Sequence, residues 1–243
     1  MNKSEKKQRP FVDLIISIVI PTLILMKFSG EQHLGPTGGL IVALAFPVCY
    51  GLYELIGNGT RNWVALLGVI SVLLTGSIGL LKLDPKWLAV KEAAIPLAIG
   101  IGVLVAKKMG YPLLNKLLLN PSVVNIHAVE DALQQKGSKP EFDSALDKAN
   151  YFFAGTFFFS AIMNFILAKS IVTSTAGTEA FNIELGKMNA LSYPVIAIPS
   201  MIMMFAIFYF IWRTVSRLTG LTLEQVMVGA EEETDESEKD GNK

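Results

Sequence analysis

The residues of this chain that could do chemistry are few and far apart. Its histidines are His33 and His127 and its one cysteine is Cys49, whereas a metal centre needs three or four ligands drawn together and a disulfide needs a second thiol. No Gly-rich phosphate loop ending in Lys-Ser/Thr, no H-E-x-x-H and no G-x-S-x-G occurs. Nucleophile, base and oxyanion donors therefore cannot be assembled, and the reading is of a non-enzyme with no catalytic, cofactor-binding or metal-binding residue. The ionisable residues of interest are instead those inside apolar runs. Asp13 and Glu54 fall near the ends of two runs, while Lys91 and Glu92 lie within about a turn of the end of another. A charge at the middle of a bilayer costs about 3 kcal/mol or more, and none is expected there. Consecutive helical residues are about 100° apart, so Lys91 and Glu92 are not expected to face one partner. Snorkelling and interfacial anchoring is the reading preferred over a proton or ion relay.

Small and polar residues recur at helical spacing. Ala94, Ala98, Gly102 and Ala106 lie at intervals of four, as do Ser71, Thr75 and Gly79, which places each set on one helix face where a second helix can approach closely. A tight helix pair, within one chain or between two, is the economical reading ahead of a pore lining. Asn164, four residues after Ser160 and four before Ala168, is the most polar group near the centre of its run. Its amide must find partners, as interhelical glue in preference to a substrate ligand. Pro21, Pro47, Pro96 and Pro199 interrupt four runs; helix prolines occur in transporters and in inert bundles alike.

The elements that carry these residues are apolar segments. Of 243 residues 51% are hydrophobic and 17% charged, against about a quarter charged in soluble domains. Charges are nearly absent from Phe11 to Phe28, Pro36 to Ile56, Trp63 to Leu81, Leu88 to Ala106, Tyr151 to Val172 and Leu191 to Trp212. An α-helix needs about 20 apolar residues to cross a 30 Å hydrocarbon core, so the expected fold is an all-α polytopic bundle of about six spans. The first run, long and without a small-x-small cleavage site, is read as a span rather than a signal peptide. Positive charge gathers before the first run (Lys3, Lys6, Lys7, Arg9), between Lys107 and Lys148, and after the sixth (Arg213, Arg217). Cytoplasmic loops retain Lys and Arg, which predicts N-in and C-in. Net charge is zero, leaving no basic field for nucleic acid.

The resulting organisation is residues 1–106 with four spans, 107–149 as a cytoplasmic helical loop, 150–217 with two spans, and 218–243 as an acidic, largely disordered tail. In the loop, Pro121-Ser122 looks like a helix start and Gly137 a stop, with Val123, Ile126, Val129 and Leu133 between. Leu113, Leu114, Leu117 and Leu118 around Lys116 predict an amphipathic segment at the membrane surface. Thr222-Leu223-Glu224-Gln225 matches a capping box.

Around the fifth run the residues take a recognisable order: Asn150 opening the helix, Phe157-Phe158, Asn164, then the loop Phe181-Asn182-Ile183-Glu184-Leu185-Gly186. This resembles the intracellular septation protein A (YciB/IspZ-like) family of bacterial inner-membrane proteins. A weaker similarity covers Asp84, Trp87, Leu88 and Lys91, although the stretch corresponding to the family's Trp-Lys-Pro reads Ala89-Val90-Lys91-Glu92. The resemblance implies a multi-spanning protein of the bacterial inner membrane, a non-catalytic scaffold in cell-envelope synthesis and septation. Its partners would be the bilayer, membrane proteins of the envelope or division machinery and a second copy of itself. It also raises Asn150, Asn164, Asn182 and Gly186, with Lys91 and Glu92, as residues of interest. The alternative expectation is a small-molecule transporter or channel, against which stands the lack of a convincing repeat between the first three and last three runs.

Overall fold

The computed structural model describes residues 15–57, 63–120 and 124–227. Helix accounts for most of it, and among the described residues the only β-type pairing is an isolated bridge between Val124 and Met227. The first four apolar runs form α1 (Ile15–Lys27, its first five residues π-helical), α2 (Gly35–Gly57), α3 (Trp63–Leu80) and α4 (Lys86–Lys108). The short α5 (Leu113–Leu118) and α6 (Ile126–Gln135) precede α7 (Lys139–Ile171). Then α8 (Glu179–Ser192) continues through a π-helical turn, Tyr193–Ala197, into α9 (Ile198–Thr219), and α10 (Leu223–Val226) closes the described chain. Four stretches are long and apolar enough to cross a membrane: Gly35–Tyr53, Lys86–Lys108, Lys139–Ile171 and Glu179–Thr219; α1 and Leu66–Leu80 are shorter apolar helices.

The outward faces of these helices are greasy. Ile41, Leu73, Leu74, Ile101, Ile162, Ile202 and Phe205 are all exposed. In water, apolar area on that scale would drive association; against lipid tails it is at home. The chain is thus an all-α membrane protein in its architecture.

The helices fall into two units, one comprising residues up to Ile95 with Ala161–Ile198, the other Pro96–Ser160 with residues from Pro199 on. The first has a core of Leu25, Leu40, Ala43, Ile78, Leu88, Phe181, Leu185 and Met188, which joins α1, α2, α3, α8 and the start of α4. The second is built on Leu114, Val129, Leu133, Phe142, Leu146, Ile207, Ile211 and Val215. There Lys136 Nζ donates to the Thr219 carbonyl at 2.6 Å, satisfying an otherwise orphaned acceptor at the C-terminus of α9.

Several boundaries differ from the sequence reading, for identifiable reasons. Asn150 does not open a helix: α7 begins at Lys139, with Phe142, Leu146 and Ala149 buried on one face of its first turns. Residues Phe181–Gly186 are not a loop but the start of α8, where the Thr178 hydroxyl caps the helix by accepting from the Phe181 N–H at 3.2 Å. Residues 121–123, with the start expected at Pro121-Ser122, lie outside the described residues. There α6 begins at Ile126, with Asn125 Oδ1 accepting from the Ala128 N–H. Gly137 follows α6 with φ +63°, and the Gln225 side chain accepts from the Thr222 N–H as a capping box requires. Asp13 and the acidic residues after Met227 also lie outside the described residues.

Candidate functional site

Inside the first unit, α1, α2, α3, α4 and α8 line a half-open cavity of about 270 Å³. Its position follows from local sequence. Pro21 and Pro47 line it, and a helical proline loses one backbone bond and crowds the carbonyl four residues earlier. The π-helical turn Ile15–Val19 runs up to Pro21, and Tyr193–Ala197 contains Pro194. Ser17 and Ile18 of the first turn and Ser192 and Tyr193 at the second face the same space. Widened helical turns of this kind re-aim side chains and are frequent at functional sites.

Among the described residues the charged members of the cavity wall are Lys91 and Glu92. The sequence reading had them snorkelling apart towards a surface, and this is corrected. The Lys91 ammonium turns inward, 2.7 Å from Glu92 Oε1, 2.8 Å from Thr75 Oγ1 and 3.1 Å from Ser71 Oγ, with the Ser71 carbonyl at 3.4 Å. The two side chains are only 10% and 23% exposed. Adjacent residues 100° apart on a helix can both reach one cavity because their side chains are long and flexible. Ser71 stands at the middle of the eighteen-residue α3, so the ammonium is far from either end of that helix. Asn189 completes the polar lining; Leu25, Leu44, Val72 and Leu185 form apolar walls.

No family model, no curated protein and no solved structure matches this chain. The geometry alone must therefore say which residues bind and which merely pack.

Most residues raised by the resemblance pack. Asn182 is fully buried, its amide donating to Ser29 Oγ at 3.1 Å and the Pro36 carbonyl at 2.7 Å, which ties α8 to both ends of the α1–α2 connection. Gly186, one turn on, lies where a Cβ would come within 2.5 Å of Met26 Cγ and 3.2 Å of the Thr22 carbonyl. Asn150 is buried on α7 and donates to Asn115 Oδ1 at 2.7 Å and the Leu146 carbonyl at 2.9 Å. Asn164 is half-buried on α7. Glu184, inside the same motif, accepts from the N–H and hydroxyl groups of both Thr173 and Ser174 and so fastens the α7–α8 connection.

The small-residue stripes part company. Thr75 and Gly79 are buried and Ser71 half-buried, but they meet Lys91, Leu40 and Phe181 rather than the other stripe. Ala94, Ala98 and Gly102 are exposed, Ala106 is half-buried, and a Cβ on Gly102 would meet nothing within 4 Å. The pairing expected within one chain is therefore corrected. The packed face of α4 carries Gly100, against Phe157 and Phe158, and buried Val103; Gly100 lies about 200° round the helix from both Ala98 and Gly102. Among the described residues no three His, Cys, Asp or Glu side chains come together, and His33 is an exposed loop residue whose ring lies edge-on to Phe28. Tyr193, Asn189 and Ser17 had not been singled out; Pro21 and Pro194, each within four residues of a polar side chain on the cavity wall, are the signal that points to them.

Proposed function

We propose that this chain is a multi-pass protein of the bacterial inner membrane, with six spans and both ends in the cytoplasm, that binds a small polar solute in the α1–α2–α3–α4–α8 cavity and passes it across the membrane. The observation that carries this reading is the Lys91–Glu92 pair on the cavity wall. An ion pair in an apolar helix group is costly to desolvate, and a packed scaffold would be served as well by leucines. Charge beside a polar cavity, between helices broken by prolines and π turns, is the arrangement by which membrane transporters hold solutes. The test is flux. Purified protein in liposomes should take up its solute saturably, and the charge-free pair Lys91→Met with Glu92→Gln should reduce uptake at least tenfold while leaving the protein folded. Uptake unaffected by that change would remove the cavity from the mechanism.

A second reading keeps the scaffold implied by the resemblance to septation protein A. It is favoured by the exposed face Ala94, Ala98 and Gly102, which is shaped for close approach by a helix of another chain. Crosslinking in cells from Ala98 and Gly102, with the products identified by mass spectrometry, separates the two. Division or cell-wall proteins in the product support the scaffold, self-crosslinks a homo-oligomer.

A further inference from the structure

Among the described residues the charged hydrogen-bonding capacity left in the cavity is a carboxylate oxygen, beside the neutral donors and acceptors of Asn189, Ser17 and Tyr193. An ammonium has three N–H donors and no acceptor, and those of Lys91 are taken by Glu92, Thr75 and Ser71. Its charge is answered and its donors are used. Glu92 is different: only Oε1 engages Lys91, and among the described residues Oε2 has no partner, although the residue lines the cavity. The Ser192 hydroxyl is committed to the Met188 carbonyl at 2.8 Å.

Among the described residues an anion would find no free cationic donor here. A bare alkali ion would leave most of 270 Å³ and the leucine wall unused. Tyr193 supplies an aromatic ring at the same wall, and aromatic faces attract cations. We infer that the solute is a small organic cation, a protonated amine with an apolar body, whose ammonium is held by Glu92 while Lys91 acts as the positioning residue for that carboxylate. This rests on the cavity being a solute site. Two cations sharing one carboxylate repel each other, which keeps binding weak, as release on the far side requires.

The experiment uses the full chain in lipid nanodiscs and three probes of similar shape: phenethylammonium, 3-phenylpropanol and 3-phenylpropionate, titrated by calorimetry. Phenethylammonium should bind saturably, at least tenfold more tightly than the alcohol or the carboxylate. Glu92→Gln should weaken it tenfold or more, and so should K91M/E92Q, which removes both charges and keeps the measurement meaningful if the single variant folds poorly. Val72→Trp, which fills the cavity, should abolish it. If the carboxylate or the alcohol binds as well as the ammonium and Val72→Trp removes that binding, the cavity stands as a solute site and the cation assignment falls. Full phenethylammonium affinity in K91M/E92Q also overturns the assignment. If no probe binds saturably in a way that Val72→Trp removes, the cation assignment and the solute site fall together.

Discussion

A lysine drawn into an apolar helix group must find acceptors for three N–H donors, and Lys91 finds them on α3 and on its own neighbour. Breaking a buried pair from one side leaves an unanswered charge, at a cost of about 3–5 kcal/mol, whereas replacing both members with neutral residues of similar volume is often nearly neutral. Lys91→Met and Glu92→Gln should therefore each lower unfolding free energy by about 3 kcal/mol or more, while the double variant stays near wild type. Denaturant titration in micelles measures this cycle, and additive losses would show that the two residues do not act as a unit. The pairing is legible in the sequence from the hairpin rather than from the helix ends. Measuring each charge from the nearest helix end led to snorkelling; measuring across the hairpin gives contact. Thr75 and Lys91 are each eight residues from Leu83 (83 − 75 and 91 − 83), and helices joined by so short a connection run antiparallel, side by side. Within that connection Asp84 accepts from the Lys86 N–H at 2.9 Å and meets its ammonium at 3.0 Å, which holds the Asp84 carboxyl below the usual range and marks the start of α4.

Helix α8 shows what hydropathy reads and what it misses. Within the described residues the six apolar runs all form helices, which satisfy their own backbone groups where no water can. The ends of α7 and α8 were missed because their outer turns are polar: Asn182, Glu184, Lys187 and Asn189 break the apolar pattern without breaking the helix. Their partners, Ser29, Pro36, Thr173 and Ser174, are tertiary, and no local pattern announces them. The two glycines raised from sequence now have opposite expectations. Gly186→Leu would drive a side chain into Met26 and the Thr22 carbonyl and should destabilise by about 1–3 kcal/mol, visible as a lower unfolding midpoint. Gly102→Leu, on an open face, should change stability by no more than about 0.5 kcal/mol. Equal effects at the two positions would contradict the packing of α4 and α8.

At the scale of the whole molecule, the proposed six crossings depend on the two shorter apolar helices. Helix α3, with eighteen residues, rises about 27 Å, just under a hydrocarbon core of about 30 Å. The thirteen described residues of α1, five π-helical and eight α-helical, rise about 20 Å at the α-helical pitch, and their apolar run begins at Phe11 in the sequence. Side-chain placement gives a sharp test of both. In a Cys49→Ser background, single cysteines at Gln32, Lys82 and Thr175 should react with a membrane-impermeant maleimide added outside intact cells. Cysteines at Lys116, Gln134 and Thr222 should react only after permeabilisation. Gln32 and Lys82 are separated by α2 and α3 alone, so they share a side only if both cross or neither does, and α2 is long and apolar enough to cross. Opposite labelling of these two positions would mean that α3 lies along the membrane, would place the Ser71 and Thr75 partners of Lys91 at its surface, and would turn the cavity from a passage into an interfacial pocket. Labelling of the pair from outside, with Lys116 protected, keeps α3 and α4 as crossings and holds the Lys91 ammonium and its partners Ser71 and Thr75 within the bilayer, where an ion pair is costly to keep and a charged solute would give it a purpose.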